Sequence, residues 1–158
     1  MARLALQSSQ VDSGEVIARE CTCDGGNLSP NLRWFNVPAG TRSLAIVMDE
    51  PGTPEGLFTH WLLYDISPYV AEIPPGRPLG ETIEEGVQGM NDFGELGYTG
   101  PCPPAGEERR YYIRLYALDC EPKLGPGADR NALMRAMQGH IIEQTELIAR
   151  YGALPVPV

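Results

Sequence analysis

Lysine is almost missing from this chain: Lys123 is the only one among twelve basic residues, which face twenty-one acidic ones at a formal net charge of −9. No stretch is rich in lysine and arginine, so the chain cannot neutralise a run of nucleic-acid phosphates, and an anionic membrane surface repels it. Long apolar runs are missing too. The N-terminal segment is too short in apolar residues for a signal core, and no window approaches the length of a membrane span, so a cytoplasmic location is the expectation. There is no Gly-x-Ser-x-Gly elbow, no phosphate loop and no paired-histidine metal motif. Neither metal nor cofactor is expected, and no catalytic residue stands out. Cysteine is sparse: Cys21, Cys23, Cys102 and Cys120 lack the two-pair spacing of a zinc ribbon. In a reducing compartment they are expected to be unpaired, mostly structural thiols.

What is present is globular composition, 42% hydrophobic and 21% charged, with Gly 18 and Pro 15 spread evenly along the chain. That mixture favours many short elements joined by turns over a helical bundle. Without a repeat or a linker, a single domain over residues 1–158 is the simplest organisation. Ser43 to Met48 is an apolar run of strand length. Thr59 to Ile66 reads as a second strand whose alternation places His60, Leu62, Tyr64 and Ile66 on one face and Trp61, Leu63 and Asp65 on the other. Between them, Asp49 to Gly56 holds two prolines and two glycines, which predicts a fixed loop without regular structure. Pro68 to Gly106 is expected to be mostly loop, of the long kind that carries binding groups. Tyr111 to Leu118 is the clearest strand. Leu133, Met137, His140, Ile141, Ile148 and Tyr151 recur at helical spacing, which predicts one amphipathic C-terminal helix over Asn131 to Tyr151 with His140 in its apolar stripe. An extended tail, Leu154 to Val158, follows.

Four segments in order resemble the phosphatidylethanolamine-binding protein family, in particular bacterial and archaeal members related to Raf kinase inhibitor protein. They are Cys23-Asp24-Gly25-Gly26-Asn27-Leu28-Ser29-Pro30 with Leu32-Arg33-Trp34; Ser43 to Pro51 with Thr59-His60-Trp61; Gly97-Tyr98-Thr99-Gly100-Pro101-Cys102-Pro103-Pro104 with Arg110-Tyr111; and Gly139-His140-Ile141. The resemblance implies a mainly β fold with few peripheral helices, one of them C-terminal. It also implies a shallow pocket for phosphate, a carboxylate or a phosphoethanolamine head group. Carried over by position, that ligand site comprises Glu50, His60, Gly100, Arg109 and Tyr111, with Tyr98 and Pro101 on its rim.

Two departures from the family pattern fall in the pocket. Glu50-Pro51-Gly52-Thr53-Pro54 replaces Asp-Pro-Asp-Ala-Pro, which lengthens one carboxylate and deletes another. Arg109-Arg110-Tyr111 replaces His-Arg-Tyr, which turns one imidazole into a guanidinium whose fork suits an anion or, equally, Glu50. His60 alone reads as a half-buried structural histidine; the resemblance makes it a ligand contact. Cys102, between two prolines, reads as a small buried hydrophobe ahead of a nucleophile. Three functions follow in order: a binding protein for a small anion or phospho-headgroup; a kinase or protease inhibitor whose partner is another protein; and a hydrolase with His60 as general base and Arg109 at the oxyanion. Dimerisation of many relatives extends by analogy to a homodimer here.

Overall fold

A computed structural model describes residues 2–152. In chain order its elements are β1 (Ala5–Gln7), β2 (Leu32–Phe35), β3 (Ser43–Thr53), β4 (Gly56–Ile66), β5 (Glu72–Ile73), β6 (Thr82–Ile83), β7 (Gly86–Gln88), β8 (Glu108–Leu118), α1 (Arg130–Met137) and β9 (Ile141–Gly152). The mainly β fold with a helix late in the chain is as expected. The predicted tail Leu154 to Val158 lies outside the described residues.

A six-stranded sheet in the order β6-β7-β4-β3-β8-β9 and a three-stranded sheet in the order β1-β2-β5 divide the strands. β3 lies at the centre, antiparallel to both β4 and β8. Its run from Ser43 to Glu50 is buried on both faces, which explains why it reads as continuously apolar instead of alternating. Leu44, Ile46 and Met48 point into the main core with Leu6, Leu32, Trp34 and Ile73 of the small sheet. Ala45 and Val47 point the other way, where α1 seals a second core with Leu133 and Met137. Burying each such side chain stabilises the fold by about 1.5–3 kcal/mol. A helix of this length does not stand alone in water, so those two anchors hold it in place.

Four expectations are corrected. The helix ends at Met137 rather than Tyr151: Asp129 caps its start by accepting from the Ala132 N–H at 2.8 Å, and Gly139 turns the chain at φ +81°. From Ile141 the chain is a strand whose Leu147, Ala149 and Tyr151 face the main core at a spacing of two. Pairing along the whole of β8, together with the β-branched Ile141, Ile142, Thr145 and Ile148, outweighs the partial helical spacing. His140 consequently lies in an exposed turn, its Nδ1 bonded to Asp119 at 2.7 Å, and not in a core stripe.

Asp49 to Gly56 is not a loop without regular structure either. β3 and β4 continue through it as a hairpin closing at Thr53 and Gly56, with an irregular register after Glu50 that leaves Pro51 and Gly52 outside the pairing. The simple alternation of β4 also fails at both ends. Asp65 adopts φ +55°, and Ile66 joins the main core with Trp61 and Leu63. At the other end the register skips His60 between Met48–Trp61 and Asp49–Thr59. That bulge swings His60 away from Leu62 and Tyr64 to lie against Tyr111.

The fourth correction concerns the thiols. Cys23 and Cys102 form a disulfide, with Cα atoms 5.3 Å apart across a sequence separation of 79. The Cys23 N–H donates to the Pro101 carbonyl at 3.1 Å, which brings the two loops together. Cys21 and Cys120 are the free cysteines.

Candidate functional site

Strand alternation decides which side chains meet. On β3, Glu50 shares a face with Met48; on β8, Arg109 shares a face with Tyr111 and Ile113; on β4, the bulge turns His60 to the same side. The three central strands therefore bring Glu50, His60 and Arg109 to one cavity of about 280 Å3 at one end of the large sheet.

His60 is 1% exposed and uses both ring nitrogens. Nδ1 lies 2.6 Å from the Thr99 carbonyl, and Nε2 lies 2.8 Å from Glu50 Oε1. A carbonyl only accepts, so Nδ1 carries a hydrogen. The second contact then holds one further proton between Nε2 and the carboxylate. Imidazolium with carboxylate and imidazole with carboxylic acid are its two forms, and both are electrically neutral as a pair. The ring is fixed further by edge contacts with Phe58, Phe93 and Tyr111 at centroid distances of 5.5, 5.3 and 5.2 Å.

Arg109 supplies the permanent positive charge. It approaches Glu50 Oε2 only to 4.0 Å, and its direct hydrogen bonds go to the Gly52 carbonyl and Glu107, each at 2.7 Å. The guanidinium thus does not fill the cavity by bonding Glu50. The exposed Glu107 carboxylate and a backbone oxygen orient it instead. Its charge is held firmly by the Glu107 hydrogen bond, which raises an already high pKa.

Tyr111 is fully buried, and its hydroxyl has no partner at normal hydrogen-bond geometry; the Glu50 carboxylate is the acceptor near it. Burial first, and the nearby Glu50 charge second, push that hydroxyl well above its ordinary range, so it remains a donor. The remaining carried-over residues sit elsewhere. Tyr98 packs its ring edge-on against Trp61 and donates to the Cys21 carbonyl at 2.6 Å. Gly100 donates to Asn27 Oδ1 at 2.7 Å, and a Cβ there would come within 2.1 Å of the Cys21 oxygen. That close approach makes glycine a packing requirement at this position. Pro101 is buried in the same segment. These three shape the loop behind the cavity and do not line it.

Sequence reasoning missed the apolar part of the lining: Phe58, Phe93, Cys102 and Pro103. Phe58 and Phe93 stack edge to face at 4.8 Å. Phe93 carried no signal, since it lies in a loop thirty-odd residues from His60, but Phe58 is two residues from His60 on one strand. Cys102 reaches the cavity as half of the disulfide, so it offers no thiol there.

Residues 7–152 match the family model described as phosphatidylethanolamine-binding protein. A UPF0098 protein of Methanothermobacter thermautotrophicus is 43% identical over 141 residues, covering 89% of this chain and 92% of its own. Another, of Chlamydia trachomatis, is 35% identical over 153 residues, covering 94% and 98%. Among solved structures, a phosphatidylethanolamine-binding protein homologue from Chlamydia trachomatis superposes with a TM-score of 0.88 at 35% identity, covering 97% of this chain and 99% of its own. YbcL of Escherichia coli, described as a member of the mammalian family, gives 0.88 at 28%, covering 96% and 99%.

Proposed function

Since this chain belongs to the phosphatidylethanolamine-binding protein family, we propose that it binds a small anion or phospho-headgroup in the cavity bounded by Glu50, His60 and Arg109. The observation that carries this reading is the convergence of a permanent guanidinium and a neutral His60–Glu50 pair on one half-apolar cavity. Arg109 offers the charge-assisted contact to a phosphate or carboxylate. Phe58 and Phe93 give the lining an apolar part, suited to the carbon portion of a head group.

The anion must compete with groups already in place. Glu107 and the Gly52 carbonyl occupy Arg109, and Glu50 presents carboxylate oxygens to the cavity, so affinity is expected in the millimolar range. Hydrolysis is disfavoured by the same geometry. Both nitrogens of His60 are engaged, Cys102 is bridged, and the Thr53 hydroxyl is committed to the Gly56 carbonyl at 2.7 Å. A free base and a free nucleophile are what that chemistry requires.

Calorimetric titration with phosphate, acetate and phosphoethanolamine tests the reading. Arg109→Met is expected to weaken phosphate binding at least tenfold, and His60→Asn to weaken it less. If both variants bind phosphate as the wild type does, the anion site is not this cavity.

A further inference from the structure

Just past the end of β8 remote from the cavity, about 30 Å away along the strand, three metal-competent side chains converge. Asp119 and Cys120 follow β8 directly, and His140 precedes β9. One ligand atom from each lies within 4.8 Å of the others. His140 Nδ1 is 2.7 Å from Asp119 Oδ1, and the backbone reinforces the pairing, since the Asp119 N–H donates to the His140 carbonyl at 2.9 Å. Cys120 is anchored separately: its carbonyl accepts from the Ser43 hydroxyl at 2.5 Å, and its half-buried side chain packs against the core under α1.

We propose that Asp119, Cys120 and His140 form a binding site for a zinc-class divalent cation. The donor set is one sulfur, one imidazole nitrogen and one carboxylate oxygen, which suits a tetrahedral ion of borderline softness and disfavours magnesium or calcium. Three protein ligands leave the fourth position to water. In a tetrahedral zinc site such donor atoms lie about 3.3–3.6 Å apart. The present separations are 2.7 Å for nitrogen and oxygen and at most 4.8 Å overall, close enough for small side-chain movements to reach that geometry. The two exposed ligands are free to make those movements.

The position gives such an ion a structural consequence. Asp119 and His140 bracket the whole connection that carries α1, so a bound ion clips together the two ends of that excursion. The expected result is a helix held more firmly over the second core, and binding releases the Cys120 proton. The site is independent of the anion cavity, and neither reading depends on the other.

Cobalt(II) is the probe, added to untagged full-length protein with the Cys23–Cys102 bridge kept oxidised. One equivalent is expected to bind with a thiolate-to-metal charge-transfer band. Cys120→Ser should abolish the band, and His140→Ala and Asp119→Asn should each weaken cobalt binding at least tenfold, while Cys21→Ala keeps both band and affinity. Saturating zinc should raise the melting temperature of the wild type and not of Cys120→Ser. The three ligand variants check one another if one of them fails to fold. The inference is overturned by a band that survives Cys120→Ser, by cobalt binding that shows no thiolate band, by unchanged affinity in His140→Ala, or by no binding at sub-millimolar cobalt.

Discussion

Asp49 and Glu50 are neighbours in sequence, both buried and both carboxylates, yet β3 sends them to opposite faces and into opposite circumstances. Asp49 faces the α1 side. There it accepts from Arg130 Nε and the Thr59 hydroxyl, each at 3.0 Å, with Arg114 at 4.0 Å. It has more cation than it needs. Glu50 faces the cavity, shares one proton with His60, and stands 4.0 Å from an arginine whose hydrogen bonds go elsewhere. The first arrangement is closed, and the second retains unused hydrogen-bonding capacity. A completed ion cluster clamps a helix to a sheet; an incomplete one beside a cavity is where a ligand gains something.

Breaking the closed side should have the largest effect. Asp49→Ala strands Thr59 and unclamps α1, at an expected cost of about 3 kcal/mol in urea denaturation; that is the low end for a broken buried pair, because both arginines keep access to water. Anion affinity should be unchanged. A loss under 1 kcal/mol would show that Asp49 is no clamp. On the cavity side, replacing Cys23 and Cys102 together by serine releases a long loop and should cost about 2–3 kcal/mol. Equal denaturation midpoints with and without the bridge would refute this.

Alkaline pH separates the two faces further, because Cys21, whose carbonyl touches the Tyr98–Gly100 segment behind the cavity, is pushed from 9.0 to about 12 by burial and secondarily by Glu20. The unfolded chain then loses this proton before the folded one does. Its contribution is complete below pH 9.0, shrinks as the pH rises, and is gone above about 12. By pH 10 the loss is roughly 1 kcal/mol relative to Cys21→Ala, measured by parallel denaturation series. Parallel curves for the two proteins would contradict it.

The smallest effect on stability belongs to Glu50→Gln. A glutamine amide can donate to His60 Nε2 and leave the imidazole neutral, so stability should change by less than about 1 kcal/mol. Phosphate binding should tighten roughly threefold to tenfold, because a carboxylate oxygen no longer faces the anion. Weaker phosphate binding in this variant at every pH would mean that Glu50 positions His60 more than it repels the ligand.

Much of this was legible in the residues. The apolar run at Ser43, the aromatic strand at Tyr111 and the spread of glycine and proline marked a β protein, and the ordered segments marked its family. Glu50, His60 and Arg109 could be named as a group. Three things were not legible. The bulge that turns His60 out of the alternation arises from a register mismatch between two strands. The disulfide joins cysteines 79 residues apart. The last strand was hidden because a spacing of three, four or seven residues between a few apolar positions satisfies a helix locally, while the ladder partner that favours a strand lies on β8.

What the sequence by itself determined, then, is composition, alternation and the chemical identity of the groups: a net acidic, mainly β chain in which Glu50, His60 and Arg109 stood as candidates for one site. Tertiary structure alone decided which partner each group takes. Arg109 went to Gly52 and Glu107 rather than Glu50, His60 to Thr99 and Glu50 together, and His140 to Asp119. The physical reason is that hydrogen bonds act over about 3 Å. Distances of that kind are set by strand register and loop closure, and neither is a property of any local stretch of chain.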